Sequence, residues 1–280
     1  MTGRLTIGID GGGSGCRVAL RLPDGAVTRA RGGPANAFTD AGRAAAEITE
    51  TLTRMLDKAG QPLAALQDAR ICAGIAGCRL PVLAKTLTDR LPFPARIVDD
   101  SVTALYGAFD GGDGSLVSLG TGSFFIRKAG DEVTHLGGWG FDLGDEASGA
   151  WLGRRAVTLS LQAAEGRFAE DGLTRAVMAH LPPHPLIDLK DAEPADYAAL
   201  APLVLLHKDS PLGERLLSET LAELHRGLHD LGHVASAPLV LGGGFGVALA
   251  PHLPPEMQAG LVPPLGTALD GALALAEALP

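Results

Sequence analysis

The feature that most constrains the fold is a glycine-rich loop between two predicted β-strands near the N-terminus. The apolar run Leu5–Ile9 ends in Asp10, the loop Gly11–Gly15 follows, and an alternating pattern predicts a second strand over 17–22. In Rossmann and Walker A folds a helix begins directly after the glycines, because its N-terminal N–H groups hold the phosphate. Here the glycines form a hairpin bend, and no Gly-Lys-Ser/Thr occurs in the chain. The pattern excludes both of those folds.

The first part of the chain alternates between strands and helices. After the hairpin, the pattern predicts these elements: a strand over 27–31, a helix over 40–59, a strand over 70–73, a helix over 80–90, a strand over 95–98 and a helix over 101–109. The order is βββαβαβα, which is typical of the α/β class.

The same pattern begins again after a glycine-rich turn. Strands are predicted over 116–119, 124–127 and 133–136, helices dominate 147–233, a strand at 239–241 precedes Gly242–Gly246, and a helix over 267–279 closes the chain. The pattern indicates a duplication with two domains. The N-terminal domain is predicted over residues 1–108, with the C-terminal helix of about 267–280 as a candidate to pack back on it, and the C-terminal domain over 109–266.

Composition excludes several classes of function. Hydrophobic residues make up 46% of the chain, enough for a core, and the net charge of −9 comes with no basic run, which argues against nucleic-acid binding. Cys16, Cys72 and Cys78 form no CxxC pair, so we expect buried thiols rather than disulfides or a zinc site. No apolar run precedes Asp10 and none reaches the ~18 residues of a membrane span. These observations predict a cytoplasmic protein without a membrane segment.

Three glycine loops are the candidate phosphate-binding elements. Glycines form turns everywhere, so one loop alone predicts little. Here each loop directly follows an apolar strand and lies near Ser, Thr or Asp, which favours phosphate binding because small residues let backbone N–H groups approach phosphate oxygens. Asp10 ends the strand before the first loop. It is a candidate Mg²⁺ ligand, directly or through water, and the alternative is a cap or turn residue.

Two adjacent acids end the strand predicted over 95–98. The carboxyl ends of strands in an open α/β sheet face the ligand crevice. We expect Asp99 to cap the following helix, whereas Asp100 is a candidate to accept the proton of an attacking hydroxyl. The alternative is that both acids only cap that helix.

The densest functional signal is the stretch 137–153, GGWGFDLGDEASGAWLG. Glycines, aromatic residues and acids together are typical of a loop that contacts a ligand. Two structural alternatives remain: Trp151 suits helix packing, and Asp145 could be a helix cap with Glu146 in the first turn.

The motifs resemble those of a known family. IGIDGGGSG, VDDSVTALYGA, SLGTGS, GGWGFDLGDEASGAWLG and LGGGFG occur in the order found in N-acetylglucosamine and glucosamine kinases. Those kinases belong to the BadF/BadG/BcrA/BcrD-type ATPase family, within the superfamily of actin, hexokinase and the heat-shock ATPases. The resemblance runs from residue 5 to about residue 246, and GGWG followed by GDEASG is its most specific part.

The resemblance implies two actin-like, ribonuclease H-like domains with ATP in the cleft between them and Mg²⁺ positioned by Asp10. It implies nucleotide contacts at Gly11, Gly12, Gly13, Ser14, Thr121, Gly122, Ser123, Gly242, Gly243 and Gly244. It implies sugar contacts at Asn36, Asp100, Gly138 and Asp145, with Asp100 also the catalytic base. The resemblance leaves a homodimer open, since dimers are common in that family.

Two departures from the family pattern leave the acceptor sugar open. Leu136 stands where eukaryotic members carry a cysteine near the acetamide, and Ala76 stands where some members have a sugar-contacting serine. Members that activate radical dehydratases bridge an iron–sulfur cluster with cysteines in motifs that this chain lacks. We therefore predict an ATP-dependent kinase of the 6-hydroxyl of N-acetylglucosamine or glucosamine. The alternatives are an ATPase switch that activates a partner enzyme, a kinase of a different hexose, and a sugar-binding regulator.

Overall fold

The computed structural model describes residues 4–280, except for the side chains of residues 186 and 187. The strands are β1 Thr6–Gly12, β2 Gly15–Arg21, β3 Val27–Gly32, β4 Arg70–Ile75, β5 Arg96–Asp99, β6 Gly114–Leu119, β7 Ser123–Ala129, β8 Glu132–Gly137 and β9 Leu239–Gly242. The helices are α1 Ala37–Lys58, α2 Pro81–Thr88, α3 Asp100–Ala108, α4 Gly149–Ala164, α5 Gly172–His180, α6 Pro185–Asp188, α7 Pro194–Ala198, α8 Ala201–Leu206, α9 Pro211–Asp230, α10 Gly244–Leu249, α11 Pro255–Gln258 and α12 Ala268–Glu277. Two 3₁₀ turns span Leu63–Gln67 and Ala250–His252.

The chain divides into two compact units. The first contains the chain up to Asp113 together with Pro263–Pro280, and the second contains Gly114–Val262. Among residues 4–280, no helix is both long enough and apolar enough to cross a membrane.

The first unit contains a five-stranded sheet in the order β3-β2-β1-β4-β5. Strands β1, β2 and β3 are antiparallel neighbours, whereas β4 and β5 run parallel to β1. Gly12 pairs with Gly15 at the end of the β1–β2 ladder, so the first glycine loop is the predicted hairpin bend. The carboxyl ends of three parallel strands, β1, β4 and β5, therefore meet at one edge of this sheet.

Helices cover the sheet of the first unit and complete its core. In α1, Ile48 and Leu52 are fully buried against the sheet residues Ile7 and Ile9. Fully burying one such side chain stabilises the fold by about 1.5–3 kcal/mol. Helix α12 packs against β1 and α3 so closely that a methyl group at Gly8 would come within 2.5 Å of the backbone nitrogen of Leu273.

Helix α1 begins three residues before its predicted start at residue 40. Asn36 caps the first turn, and Asp40 interrupts the helix with φ −162° and ψ 101°. The carboxylate of Asp40 accepts a hydrogen bond of 2.9 Å from the backbone of Arg43, as a second cap would. The predicted start at residue 40 thus coincides with the kink at which the second of two merged helical segments begins.

The second unit repeats the first only in part. Its sheet has the order β8-β7-β6-β9, with β6, β7 and β8 antiparallel and β9 parallel to β6. Beyond β9, at the edge of this sheet, the described residues form only an isolated parallel bridge between Leu239 and Leu261. Buried residues Val117 and Leu119 of β6 lie in one core with Leu216 of α9. The duplication therefore includes the glycine hairpin and one parallel strand.

The third glycine loop differs from the other two. The sequence predicted a loop over Gly242–Gly246, whereas helix α10 begins at Gly244. Gly243 has φ +78°, and a side chain there would collide with the carbonyl of Leu119. The loop is therefore a close-packed turn from strand to helix.

Candidate active site

Asp10 lies at the carboxyl end of β1, opposite Arg17 of β2. An Arg17 Nη1 atom is 3.2 Å from Oδ2 of Asp10, whose side chain is 15% exposed. Burial raises the pKa of Asp10, and the nearby guanidinium opposes that rise. Sequence reasoning missed Arg17 as a site residue, although the hairpin register would have predicted that it faces Asp10.

Asp99 and Asp100 have different environments. Asp99 is the N-cap of α3, as predicted, and its carboxylate accepts hydrogen bonds from the backbone and the hydroxyl of Ser101. Asp100 is the first residue of α3. Burial, followed by the negative charges of Asp99 and Asp10, raises the pKa of Asp100 to about 7. Three carboxylates are thus close enough at this edge to interact electrostatically.

The first glycine loop is fixed at its base and open at its tip. A methyl group at Gly11 would lie 2.9 Å from the carbonyl oxygen of Ala35, so only glycine fits there. Gly12 accepts a hydrogen bond of 3.0 Å from the backbone of Ala35. Within residues 4–280, and apart from the chain neighbours of each glycine, no atom lies within 4 Å of the position that a methyl group would take at Gly12 or Gly13. The tip therefore leaves room for a ligand against its backbone.

Asn36 lies beside this loop as the N-cap of α1. Its Oδ1 accepts hydrogen bonds from the backbone of Phe38 at 2.8 Å and Thr39 at 3.3 Å. The neighbouring Ala37 donates a backbone hydrogen bond of 3.0 Å to Ala76, which follows β4. The side-chain NH₂ of Asn36 is not used by the cap, so it can donate to a ligand.

In the second unit, the loop Gly120–Ser123 is a tight turn between β6 and β7. Gly120 donates a backbone hydrogen bond of 2.9 Å to Gly122, and the Ser123 hydroxyl donates one of 2.8 Å to the carbonyl of Glu146. Thr121 is exposed at the tip. The loop thus resembles the first one in its position after a strand.

Asp145 connects this turn to the glycine-rich stretch. It is 7% exposed, has φ +61°, and accepts hydrogen bonds from the backbone of Ser123 and Gly140. Burial raises its pKa more than these bonds lower it. A methyl group at Gly122 would lie 2.6 Å from its Oδ2 atom. The alternative that Asp145 is only a helix cap is wrong, because Ser148 caps α4.

Gly138 is exposed in the same stretch, and its backbone donates a hydrogen bond of 2.9 Å to Ser123. Further along, the Phe141 ring stacks on Tyr197 with 5.4 Å between centroids, and the Arg154 guanidinium lies 4.2 Å from its centroid. An aromatic contact and backbone hydrogen bonds therefore hold this loop in place.

The third loop borders a cavity of about 460 Å³ in the second unit. Its lining consists of Gly120, Thr121, Gly149, Ala198, Ala201, Pro202, Leu205, Gly244, Phe245 and Ala248. The second and third glycine loops therefore share one apolar cavity, which sequence patterns did not indicate because its lining comes from distant segments.

These features define the class of the protein. The prediction of an α/β fold with two actin-like units is confirmed. The chain belongs to the BadF/BadG/BcrA/BcrD ATPase family, whose sequence profile matches residues 7–231.

Three comparisons show what the chain is similar to. Glucosamine kinase GspK of Vibrio cholerae is 28% identical over 279 residues, covering 96% of this chain and 95% of that protein. A crystal structure of a Chromobacterium violaceum protein, provisionally assigned as an N-acetylglucosamine kinase, is 34% identical with a TM-score of 0.84 and covers 99% and 100% of the two chains. A Porphyromonas gingivalis protein with the same provisional assignment is 23% identical, with a TM-score of 0.62 and coverage of 96% and 98%, and shows the shared fold.

Proposed function

We propose that the protein is an ATP-dependent kinase that phosphorylates the 6-hydroxyl of an amino sugar, N-acetylglucosamine or glucosamine. The family is an ATPase family, and the relatives' names include glucosamine kinase and, provisionally, N-acetylglucosamine kinase. The observation that carries the proposal is the carboxyl of Asp100 at the sheet edge, with a pKa of about 7.

Asp100 is the proposed general base. A base works best when its pKa lies near the working pH, since it is then deprotonated and still accepts a proton readily. Asp99 is the N-cap of α3. The Asp100 carboxyl accepts backbone hydrogen bonds from Ser101 and from its own residue, which oppose the rise of its pKa, and its remaining oxygen lone pairs would face the substrate. In the proposed step, the Asp100 carboxylate orients the sugar 6-hydroxyl and takes its proton as the new O–P bond to the γ-phosphorus forms. The bond from that phosphorus to the β–γ bridging oxygen breaks, and ADP leaves.

Asp10 is the proposed Mg²⁺ ligand. Its carboxylate offers the oxygen donors that Mg²⁺ prefers. Its burial favours a cation beside it, and the Arg17 guanidinium is one such cation in this structure. Among residues 4–280, no three His, Cys, Asp or Glu side chains form a cluster able to hold a metal ion. Mg²⁺ is commonly bound by one or two carboxylates plus phosphates and water. When bound, Mg²⁺ neutralises charge on the phosphates.

Backbone N–H groups are the proposed phosphate contacts. Gly11, Gly12, Gly13 and Ser14 would supply them in the first unit, and Thr121, Gly122 and Ser123 in the second. Gly242, Gly243 and Gly244 are assigned to the adenosine side. Because these groups are fixed before the nucleotide arrives, they orient it without a reorganisation cost.

Asn36, Gly138 and Asp145 are the proposed sugar-side residues. The free NH₂ of Asn36 is a donor for a sugar hydroxyl. Gly138 is exposed at its loop, whereas Asp145 is buried and bonded to backbone. We therefore assign Asp145 a positioning role as well, since its bonds join the Ser123 turn to the loop that contains Gly138.

The test is ADP formation with Mg-ATP and four acceptors: N-acetylglucosamine, glucosamine, glucose and N-acetylmannosamine. The proposal expects one of the first two to give the highest kcat/KM. Asp100→Asn should lower kcat by roughly 10²–10⁴-fold with native-like folding, whereas the control Asp110→Asn, at an exposed position, should not. Near-normal turnover of Asp100→Asn would remove Asp100 from its role. If ADP forms at the same rate with and without each of the four sugars, the result would favour an ATPase switch.

A further inference from the structure

Glu47 of helix α1 binds the backbone of the connection between β3 and α1, which consists of Gly33–Asn36. Its Oε1 atom accepts a hydrogen bond of 2.6 Å from the backbone N–H of Gly33, and both residues are partly buried. A hydrogen bond to a charged acceptor is about twice as strong as one between neutral groups. The contact therefore fixes the start of the connection to the middle of the helix.

Two glycines let the carboxylate come this close to the backbone. A methyl group at Gly32 would lie 2.8 Å from Oε1 of Glu47, and one at Gly33 would lie 2.9 Å from Oε2. The hydroxyl of Thr51, also in α1, occupies the same space beside Gly32. The next residue is Pro34, whose ring fixes φ. The first half of the connection is therefore closely packed and has little conformational freedom.

The carboxylate of Glu47 is used differently from that of Glu50, which lies in the same helix. Glu50 is exposed and pairs with Arg54 at 2.8 Å. In the part of the chain that the structure describes, the Glu47 carboxylate forms no ion pair, and its hydrogen bond comes from Gly33 alone. A partly buried charge is costly unless it is hydrogen-bonded, so the backbone of the connection is the counterpart of this carboxylate.

The connection joins the first glycine loop to the proposed sugar contact. Ala35 donates a backbone hydrogen bond of 3.0 Å to the carbonyl of Gly12. Asn36 is the next residue, and Ala37 donates one of 3.0 Å to Ala76. Both alanines are buried. A shift at the start of the connection therefore reaches Asn36 within three residues.

The glycine loop has further supports that Asn36 lacks. Gly12 pairs with Gly15 in the ladder between β1 and β2, and Gly11 accepts a backbone hydrogen bond of 2.9 Å from Ala76. Asn36 lies between β3 and α1, outside the strand ladder, and its side chain caps α1. Loosening the connection should therefore displace Asn36 more than the glycine loop.

We propose that Glu47 is a positioning residue for the acceptor sugar: its carboxylate holds the connection so that Asn36 meets the sugar. This inference rests on the proposed kinase function. A binding contact that is equally strong in the ground state and the transition state affects KM and leaves kcat unchanged. Loss of the Glu47 carboxylate should therefore raise KM for the sugar selectively.

The first test separates KM from kcat. Glu47→Ala should raise KM for the preferred sugar about tenfold, the effect of losing one hydrogen bond. KM for ATP and kcat should stay within about threefold of the wild-type values. Glu47→Gln keeps an acceptor oxygen, so its KM for the sugar should return to within about threefold of the wild-type value. Glu50→Ala is the control and should leave all three constants unchanged.

A merely structural role would give another pattern, because a partly unfolded sample contains less active enzyme and shows a lower kcat with both KM values unchanged. That pattern in Glu47→Ala, or a normal KM for the sugar, would overturn the inference. So would a KM for the sugar in Glu47→Gln that is as high as in Glu47→Ala.

A second variant approaches the contact from the other side. Gly33→Ala keeps the carboxylate but places a methyl group 2.9 Å from its Oε2 atom, which forces the two apart. It should reproduce the selective rise in KM for the sugar. If Glu47→Ala lacks the native circular dichroism spectrum, Gly33→Ala decides, and a normal KM for the sugar in that variant would overturn the inference.

A binding measurement separates this inference from the proposed function. If the wild-type protein phosphorylates no sugar, the kinase proposal fails. Calorimetry with N-acetylglucosamine, glucosamine and ADP then tests Glu47, whose replacement by Ala should weaken sugar binding about tenfold and ADP binding by less than about threefold. Equal weakening for sugar and ADP, or none, would overturn the inference, and a wild-type protein that binds neither sugar would overturn both proposals.

Discussion

The Arg17 guanidinium lies 3.2 Å from the Asp10 carboxylate, across the hairpin that forms the first glycine loop. Arg17 is largely exposed, whereas Asp10 is largely buried. The pair therefore places a cation and a carboxylate opposite each other on the two strands that lead into the first glycine loop. This arrangement suits a nucleoside triphosphate with its metal ion, because the guanidinium can pair with the phosphates and the carboxylate with the metal ion.

Replacing Arg17 with Ala should raise KM for ATP by about tenfold, because a charge-assisted contact to phosphate contributes on the order of 1.5–3 kcal/mol. Arg17→Lys should restore part of the affinity, because it keeps the charge. Steady-state kinetics with varied ATP measures both effects. Arg21→Ala is the control, because Arg21 lies in the same strand but pairs with Glu277. A normal KM for ATP in Arg17→Ala would contradict this role.

The pH dependence of activity should follow the ionisation of Asp100. Its carboxyl acts as a base only when deprotonated, so kcat/KM should rise as the pH increases through about 7. The charge of Asp99 helps to raise this pKa. Asp99→Asn, which keeps a capping side chain, should therefore move the rise to lower pH by on the order of one unit.

Profiles of kcat/KM between pH 5 and 9, recorded for the wild-type protein and for Asp99→Asn, provide the measurement. Asp110→Asn removes an exposed charge elsewhere and should leave the profile in place. The Asp100 assignment fails if the wild-type profile is flat through pH 7, and the coupling to Asp99 fails if Asp99→Asn has the wild-type profile.

Asp145 should matter for stability as well as activity. Asp145→Ala removes the acceptor for two backbone N–H groups and leaves a non-glycine residue at φ +61°. We expect a loss of roughly 2–4 kcal/mol in the free energy of unfolding of the second unit. Asp145→Asn should lose less, because its carbonyl accepts hydrogen bonds and Asn tolerates this conformation.

Urea unfolding followed by the fluorescence of Trp139 and Trp151, both in the second unit, measures these losses. Equal stability of the Ala and Asn variants would contradict the bracing role of Asp145.

The substitution Gly271→Ala tests how closely α12 packs on α3. Replacing a helical glycine with alanine normally stabilises a helix by up to about 1 kcal/mol. Here the added methyl group would collide with the carbonyl of Thr103 and the backbone of Gly107, both in α3. Gly271→Ala should therefore lower Tm, and thermal unfolding would show it. A raised Tm would mean that α12 does not pack tightly on α3.

Much of the first unit could be predicted from sequence patterns. Its hairpin, its parallel strands and the capping role of Asp99 depend on short-range patterns: alternating apolar residues, glycines at a bend, and an acid before a helix. The motif order also predicted the family, which the matching profile confirms.

The chemistry of particular residues follows from contacts that form when the chain folds. The pKa of Asp100 depends on burial and on Asp10, which is 90 positions away in the chain. The bonds of Asp145 to Ser123 and the apolar cavity likewise join segments that are distant in sequence. Local patterns act over a few residues, whereas burial and electrostatic coupling depend on three-dimensional distance, which folding creates and the linear sequence does not display.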